Sequence, residues 1–182
     1  MKPASLLPAA VALASFVAGG LAYYWFWSGD DGAIDAAVEQ AIELHSIPLS
    51  GLDGGQTLLG DWRAEILVVN FWAPWCAPCR REIPALIEVQ RQYAARGVRI
   101  LGIAFDNAEQ VRRFAEEYGI DYPLFLAGNR SAMYNAALNN PSGSLPYTAL
   151  LDRDLQIVFQ HNGELQAETL RTQLETRLAP PG

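Results

Sequence analysis

Beyond residue 46, the hydrophobic positions follow two periodicities in turn. Continuous apolar runs typical of buried strands are separated by segments in which apolar residues recur every three or four positions, as on one face of a helix. The predicted strands cover residues 65–72, 98–105, 122–126, 147–151 and 155–160, after a hairpin-like segment at 47–59. The predicted helices cover residues 80–96, 108–118, 131–138 and 165–178. This alternation predicts an α/β fold in which a central mixed sheet has helices on both faces.

The N-terminal region has a different pattern, because residues 6–27 contain no charged side chain. As a helix this run would span roughly 33 Å, enough for the hydrocarbon core of a bilayer. Lys2 precedes the run and Asp30 and Asp31 follow it, which predicts a cytoplasmic N-terminus. A cleaved signal peptide is the alternative, since Ala12-Leu13-Ala14 has the small-x-small pattern. However, the apolar run continues well past Ala14, which favours a retained anchor.

The expected organisation therefore has three parts. Residues 1–27 are an uncleaved signal anchor, residues 28–46 a linker with a short helix, and residues 47–182 the folded domain. The protein is expected in the inner membrane, single-pass, with the domain on the periplasmic, extracytoplasmic side. A hydrophobic content of 51% argues against disorder, and a net charge of −7 argues against nucleic-acid binding. We expect a monomer.

The chain has two cysteines, Cys76 and Cys79, in one Cys-x-x-Cys. A bridge across two residues closes too small a loop to restrict the unfolded chain much, so a chemical role is favoured over a structural one. A structural zinc site needs four ligands, and the two histidines, His45 and His161, stand alone in the sequence. We therefore expect no metal, and no cofactor beyond a redox-active Cys76–Cys79 disulfide.

The cysteines lie where a predicted strand leads into a predicted helix. With Cys76 at the N-cap, its sulfur faces the positive end of the helix dipole, and the Cys79 amide is the natural donor to it because Pro78 has no N–H. This placement lowers the pKa of the Cys76 thiol below the roughly 8.5 of a free thiol. Cys76, exposed at the cap, is the predicted nucleophile, and Cys79, one turn inside, is the resolving thiol. Pro84 predicts a kink in the helix.

Two segments together identify a family. Residues 68–79 read Val-Val-Asn-Phe-Trp-Ala-Pro-Trp-Cys-Ala-Pro-Cys, and residues 145–148 read Leu-Pro-Tyr-Thr. In this order they resemble the active-site segments of the thioredoxin superfamily, and more narrowly of membrane-anchored TlpA/ResA/DsbE-type thiol-disulfide oxidoreductases. The resemblance covers residues 47–178. It implies a thioredoxin-like fold, reversible dithiol-disulfide exchange with secreted or periplasmic protein substrates such as apocytochrome c, and re-reduction by a membrane electron donor of the DsbD/CcdA type.

The resemblance also implies roles for single residues. Asn70 stands where ordinary thioredoxins have a buried Asp, and Asp106 stands where ResA-type relatives have an acid that could take the proton of Cys79. Residues 106–109 are equally a capping box for the next helix, and both roles stay open. Pro146 is expected to be cis, with neighbouring backbone that binds a client chain as an added strand. A trans proline at the start of an edge strand is the alternative. The expected substrate-binding residues are Trp75, Ala77, Pro78, Leu145, Pro146 and Tyr147.

The expected direction of the reaction is reduction of a client disulfide, in two steps. The Cys76 thiolate attacks the client, and Cys79 then attacks Cys76 to release it. One alternative is an oxidase or isomerase of exported proteins. Another is a copper-delivery factor that uses thiolates as ligands, although the spacing is shorter than the Cys-x-x-x-Cys of Sco-like carriers. A peroxidase is disfavoured, because no Thr-x-x-Cys element precedes a lone reactive cysteine.

Overall fold

A seven-stranded mixed sheet forms the centre of the computed structural model, which describes residues 43–178. Residues 43–45 are helical where the described part begins. The elements that follow, in chain order, are β1 (Pro48–Gly51), β2 (Gln56–Leu58), β3 (Ile66–Trp72), α1 (Ala77–Tyr93), β4 (Val98–Ala104), α2 (Ala108–Tyr118), β5 (Leu124–Leu126), α3 (Ser131–Ala137), β6 (Tyr147–Leu151), β7 (Ile157–Asn162) and α4 (Ala167–Leu178).

The strand order is β2-β1-β5-β4-β3-β6-β7. β3 pairs in parallel with β4 and antiparallel with β6, and β4 pairs in parallel with β5. All seven residues of β3 are buried, which is why this strand reads as an almost continuous apolar run. The carboxyl end of this central strand leads directly into the cysteine motif.

Apolar side chains cover both faces of the sheet. One cluster packs β3 residues such as Val68 and Trp72 against α1, α2 and α4. The other packs the alternate β3 residues, Leu67, Val69 and Phe71, against β1 and α3. Because side chains of a strand alternate between its two faces, β3 contributes to both clusters. The predicted α/β architecture, with a mixed sheet and helices on both faces, is confirmed.

The element boundaries follow the predictions with two informative differences. Helix 108–118 and strand 147–151 have the predicted bounds, whereas α1 begins at Ala77 rather than at residue 80. The cysteine motif therefore forms the first turn of α1. β7 begins two residues later than predicted, because Leu155 has a φ of 58° and completes a turn whose Asp152 amide donates to the Gln156 carbonyl.

The predicted anchor, residues 1–27, and residues 28–42 of the predicted linker lie outside the described residues. Within residues 43–178, no helix is long and apolar enough to cross a membrane.

Candidate active site

The two cysteines lie at the junction of β3 and α1. Cys76 is the N-cap of α1, with φ −84° and ψ 105°, and its Sγ accepts a hydrogen bond from the Cys79 amide at 3.3 Å. Pro78 occupies the second position of the helix and has no N–H to offer. The two sulfurs are joined in a disulfide, so the site is in its oxidised form. The predicted cap geometry is confirmed.

Access to the two sulfurs is unequal. Cys76 is 5% exposed and Cys79 is fully buried. The prediction that Cys76 is exposed is wrong for the oxidised form, because Cys76 packs into the buried cluster that contains Trp72 and Ala73. A client that reaches this disulfide therefore meets Cys76 first.

Exposed apolar surface lies beside the less buried sulfur. Trp75 is 67% exposed, and Ala77 is also exposed. Pro78 is half-buried. A large exposed indole next to a reactive group is typical of a docking surface, since aromatic side chains contribute much of the energy of protein interfaces.

Pro146 begins the strand next to β3. The Leu145–Pro146 peptide bond is cis, as predicted. Pro146 is buried, Leu145 is half-buried, and Tyr147 pairs with Phe71 of β3. The Pro146 carbonyl accepts a hydrogen bond from the Gly163 amide at 2.9 Å, which ties the loop between β7 and α4 to the proline. Sequence reasoning did not identify this loop.

The segment before Pro146 is organised by one buried amide. The side-chain oxygen of Asn140 accepts from the amide and the hydroxyl of Ser144, at 3.2 and 3.1 Å. Its Nδ2 donates to the Asn135 side chain at 3.0 Å and to the Ser144 carbonyl at 3.1 Å. This network gives the long loop at residues 139–144 a defined shape where it enters the proline.

Tyr147 does not belong to the client-facing surface. Its side chain is completely buried, its ring lies 5.5 Å from that of Phe71, and its hydroxyl donates to the Leu138 carbonyl. Burial raises the pKa of Tyr147 to about 12. The expectation that this side chain binds substrate is corrected, because the alternation of side chains along β6 turns it into the core.

Asp106 has neither the surroundings of a buried acid nor the position of a helix cap. Its Oδ1 accepts from the amide and side-chain nitrogen of Asn107, at 2.7 and 3.0 Å, so its contacts are local. Asn107, rather than Asp106, is the N-cap of α2, with its Oδ1 accepting from the Gln110 amide at 3.0 Å. The capping box that begins at Asp106 is therefore wrong by one residue. Asp106 is partly exposed, and the buried acid of this region is another residue.

That buried acid is Glu82, which sequence reasoning missed. Glu82 is only 2% exposed and lies three residues after Cys79 on α1. Its two oxygens accept hydrogen bonds of 2.8 Å, one from the Asn70 side chain and one from the Leu165 amide. Burial raises the pKa of Glu82 to about 7, and these two hydrogen bonds oppose part of that rise. Glu82 is therefore poised to gain or lose a proton near neutral pH.

Asn70 connects the acid to the sheet. Its Nδ2 donates to Glu82 and also to the Thr148 hydroxyl of β6, at 3.0 Å, while its Oδ1 has no hydrogen-bond partner among the described residues. All three side chains are buried. The signal that could have found Glu82 is its spacing, since positions 79, 82, 83 and 86 form one stripe of α1 and the other three are buried and apolar.

Two further buried polar groups lie next to Gly102 of β4. Within residues 43–178, the Tyr122 hydroxyl and the Trp72 Nε1 have no hydrogen-bond partner. The pKa of Tyr122 is raised, mainly by burial and further by the charge of Glu82. Both rings lie against Gly102, where a Cβ atom would be 2.9 Å from Trp72 Nε1. This position of β4 therefore has room for no side chain.

A metal site is not evident in this region. Within residues 43–178, no group of three or more His, Cys, Asp or Glu side chains is arranged to hold a metal ion. His45 and His161 are both partly buried, and His161 Nε2 lies 3.2 Å from the Glu164 carbonyl.

Comparison with known proteins identifies the family. Residues 39–160 match the AhpC/TSA family. The thiol-disulfide oxidoreductase ResA of Geobacillus thermodenitrificans (strain NG80-2) is 32% identical over 129 residues, which cover 70% of this chain and 72% of the relative. The thioredoxin-like protein YneN of Bacillus subtilis (strain 168) is 29% identical over 146 residues, which cover 78% of this chain and 82% of the relative.

Solved structures agree on the fold. A putative thiol:disulfide interchange protein DsbE from Chlorobium tepidum superposes with a TM-score of 0.64 at 23% identity, over 75% of this chain and 95% of that one. A DsbF homologue from Corynebacterium diphtheriae gives 0.64 at 27% identity, over 73% and 85%. The chain therefore belongs to the AhpC/TSA family, and it is a thiol-disulfide oxidoreductase with a thioredoxin-like fold. The predicted resemblance and enzyme class are confirmed.

Proposed function

We propose that the protein reduces disulfides of client proteins on the extracytoplasmic side of a membrane, with Cys76 as nucleophile and Cys79 as resolving thiol. The observation that carries the proposal is the presence of two features in the same helix. Cys76 is its N-cap, and a buried Glu82 lies one turn beyond Cys79. The first arrangement stabilises a thiolate, and the second supplies a proton acceptor with a pKa near 7.

The first step uses the reduced enzyme. The Cys76 thiolate, held by the Cys79 amide and the N-terminus of α1, attacks one sulfur of the client disulfide. A mixed disulfide forms between Cys76 and the client. The client disulfide breaks, and its other sulfur leaves as a thiolate that takes a proton from solvent. Trp75, Ala77, Pro78 and the Leu145–Pro146 backbone are proposed to hold the client chain in an extended form.

The second step needs a thiolate at the buried Cys79. Glu82 is three residues away on one helix face, a spacing that puts Cβ atoms about 5–6 Å apart. In this step the Cys79 thiol transfers its proton to the Glu82 carboxylate. The Cys79 thiolate then attacks the Cys76 sulfur, which breaks the mixed disulfide and releases the second client sulfur as a thiolate. This thiolate takes a proton from solvent, and Glu82 returns its proton to solvent. The client gains two electrons and two protons, and the enzyme dithiol becomes the observed disulfide.

The direction of exchange is tested by the reduction potential of the Cys76–Cys79 pair. Equilibration of the purified protein with defined dithiol buffers, followed by quantification of its free thiols, gives this potential. A value near the thioredoxin figure of about −270 mV is expected for a reductase. A value near about −120 mV would instead identify an oxidant and contradict the proposed direction.

The proposal also includes the membrane topology of the protein and its redox partners. Residues 1–27 are the single-pass anchor in the inner membrane, residues 28–46 the linker and residues 47–182 the periplasmic domain, acting as a monomer. A membrane donor of the DsbD/CcdA type supplies the dithiol that regenerates the enzyme, and apocytochrome c is one candidate client. The uncharged run at residues 6–27, with Lys2 before it and Asp30 after it, supports this arrangement.

Location is tested separately from chemistry. Cells that produce the full chain are treated with a mild reductant and then with a thiol reagent that cannot cross the inner membrane. Labelling of Cys76 in intact spheroplasts is expected. Labelling that appears only after lysis would place the domain in the cytoplasm and contradict the proposed location.

A further inference from the structure

Two arginines follow Cys79, and their charges are engaged differently. Arg81 forms an ion pair of 2.6 Å with Glu164, in the loop whose Gly163 amide is bonded to Pro146. Arg80 is exposed and forms no ion pair with any carboxylate in residues 43–178. The charge of Arg81, on the Pro146 side of the disulfide, is thus neutralised by Glu164. The charge of Arg80, on the side facing α2, is not paired with a carboxylate of residues 43–178.

The Arg80 guanidinium is nevertheless held in place by α2. Its Nε donates to the Tyr118 hydroxyl at 3.0 Å, and its Cζ lies 5.7 Å from the Tyr118 ring centroid and 5.9 Å from that of Phe114. These two rings stack 4.0 Å apart, and Phe114 packs 5.1 Å from the buried Trp72. A charge fixed in this way loses little side-chain freedom when it binds a partner.

The hydrogen bond to Tyr118 leaves both Nη groups of Arg80 without an acceptor among the described residues. Two Nη groups on a planar guanidinium can form paired hydrogen bonds with a carboxylate, which is a favoured geometry for this side chain. The unused side of Arg80 therefore fits an acidic group.

Arg80 is also close to the nucleophile along the helix. Its amide donates to the Cys76 carbonyl at 3.1 Å, so the two residues are one turn apart on the same side of α1. The exposed Ala77 is three residues before it. The Arg80 guanidinium lies on the side of α1 that faces Phe114 and Tyr118, within one helical turn of Cys76.

We infer that Arg80, supported by Phe114 and Tyr118, recognises an acidic side chain next to the attacked cysteine of the client. This inference rests on the proposed function and adds a preference among its clients. Because the whole chain carries a charge of −7, an acidic client gains little from long-range attraction, and the preference comes from this local contact.

The test compares three peptide disulfides that differ only in the residue beside the cysteine, which is Glu, Gln or Lys. The rate of reduction by the purified, reduced protein gives kcat/KM for each peptide, normalised to its rate with free dithiothreitol. An exposed pair of this kind is expected to favour Glu over Gln by about two- to fivefold, with Lys below Gln. Added salt should reduce the difference.

Variants of the chain locate the effect. Arg80→Gln should bring the three normalised rates together. Tyr118→Phe keeps the ring but removes the hydrogen bond, so it should lower the Glu preference without abolishing it. Arg113→Gln is the matched control, because Arg113 is an exposed arginine of α2 that likewise forms no ion pair within residues 43–178. This variant should keep the full preference.

Three results would overturn the inference and leave the proposed function standing. Equal normalised rates for Glu and Gln in the unmodified protein would show that no preference exists. An unchanged preference in Arg80→Gln would assign it to another residue. A uniform slowing of all three peptides in Arg80→Gln, accompanied by a less acidic Cys76, would show that Arg80 acts on the thiolate rather than on the client. If the unmodified protein reduces none of the peptides, the proposed function itself fails and this inference fails with it.

Discussion

The side chain of Asn70 donates a 2.8 Å hydrogen bond to the carboxylate of Glu82, in the buried interface between β3 and α1. An amide is a suitable partner for a buried acid whose proton moves. Its nitrogen donates to the ionised carboxylate, and its oxygen, after a reversal of the amide, accepts from the protonated one. The Thr148 hydroxyl, which contacts the same amide, can donate as well as accept. The network around Glu82 thus accommodates either protonation state.

Glu82→Gln should slow the resolving step. Gln keeps the size of the side chain but cannot accept the Cys79 proton, so release of the client from the mixed disulfide is expected to slow on the order of 10²-fold near pH 7. In the unmodified protein the same rate should rise with pH around a midpoint near 7, because burial raises the pKa of Glu82 to about 7. Stopped-flow detection of the released thiol between pH 5.5 and about 8.5 measures both effects.

The control for this experiment is Glu88→Gln, which removes an exposed carboxylate of the same helix, paired with Arg171. Its rate and midpoint should match those of the unmodified protein. An identical pH profile in Glu82→Gln would show that Glu82 takes no part in the proton transfer.

The same pKa predicts how folding stability depends on pH. Between the ordinary value of 4.5 and about 7, folded Glu82 holds a proton that the unfolded chain has released. The contribution of Glu82 to the free energy of unfolding is therefore fully present below pH 4.5. It falls as the pH rises, and about 3 kcal/mol is lost once the pH exceeds 7. Urea unfolding of the oxidised protein should show this slope, and Glu82→Gln should lack it. Parallel pH curves for the two proteins would contradict the raised pKa.

Asn70→Asp tests the contact between Asn70 and Glu82. It places a second carboxyl where the amide now donates at 2.8 Å. Two carboxylates at this distance cannot both ionise, so the pair should keep one proton to higher pH, and the midpoint of the client-release rate should move above 7. Asn70→Asp combined with Glu82→Gln restores one acid and one amide, and should return the midpoint towards the original value. A midpoint that Asn70→Asp leaves unchanged would rule out direct coupling.

The residues at the start of α2 have separable roles. Asn107→Ala removes the N-cap bond to the Gln110 amide and should cost about 1 kcal/mol of stability, measured by urea unfolding. Asp106→Ala should leave the exchange rate unchanged, because the hydrogen bonds of the Asp106 carboxylate within residues 43–178 go to its neighbour Asn107. A large loss of exchange rate in Asp106→Ala, at unchanged stability, would return the acid-base role to Asp106.

The local features of the site were predictable from sequence, whereas its buried chemistry was not. The cap at Cys76 follows from a strand, a helix and a proline at fixed spacing, and the cis bond at Pro146 follows from the family resemblance. The cap depends on residues near Cys76 in the sequence. Glu82 was missed because a charged residue on a helix is ordinarily assigned to solvent, and its partners Asn70 and Leu165 are 12 and 83 residues away.

The errors at Tyr147 and Asp106 have a related cause. A strand residue next to a site faces it or turns away from it according to the pleat, and the sequence of β6 shows no alternation of exposed and buried positions because all five of its residues are buried. At Asp106, two adjacent residues were both acceptable caps, and the choice of Asn107 depends on how β4 enters α2. Both outcomes are decided by the three-dimensional arrangement rather than by spacing.

The attack of Cys76 on a client disulfide is tested most directly by trapping the mixed disulfide. Reduced Cys79→Ser and reduced Cys76→Ser are each mixed with a disulfide-containing protein, quenched with acid and analysed by non-reducing electrophoresis and mass spectrometry. Cys79→Ser is expected to form a long-lived covalent adduct through Cys76, and Cys76→Ser to form almost none. An adduct that accumulates on Cys76→Ser instead, or on neither variant, would contradict Cys76 as the nucleophile.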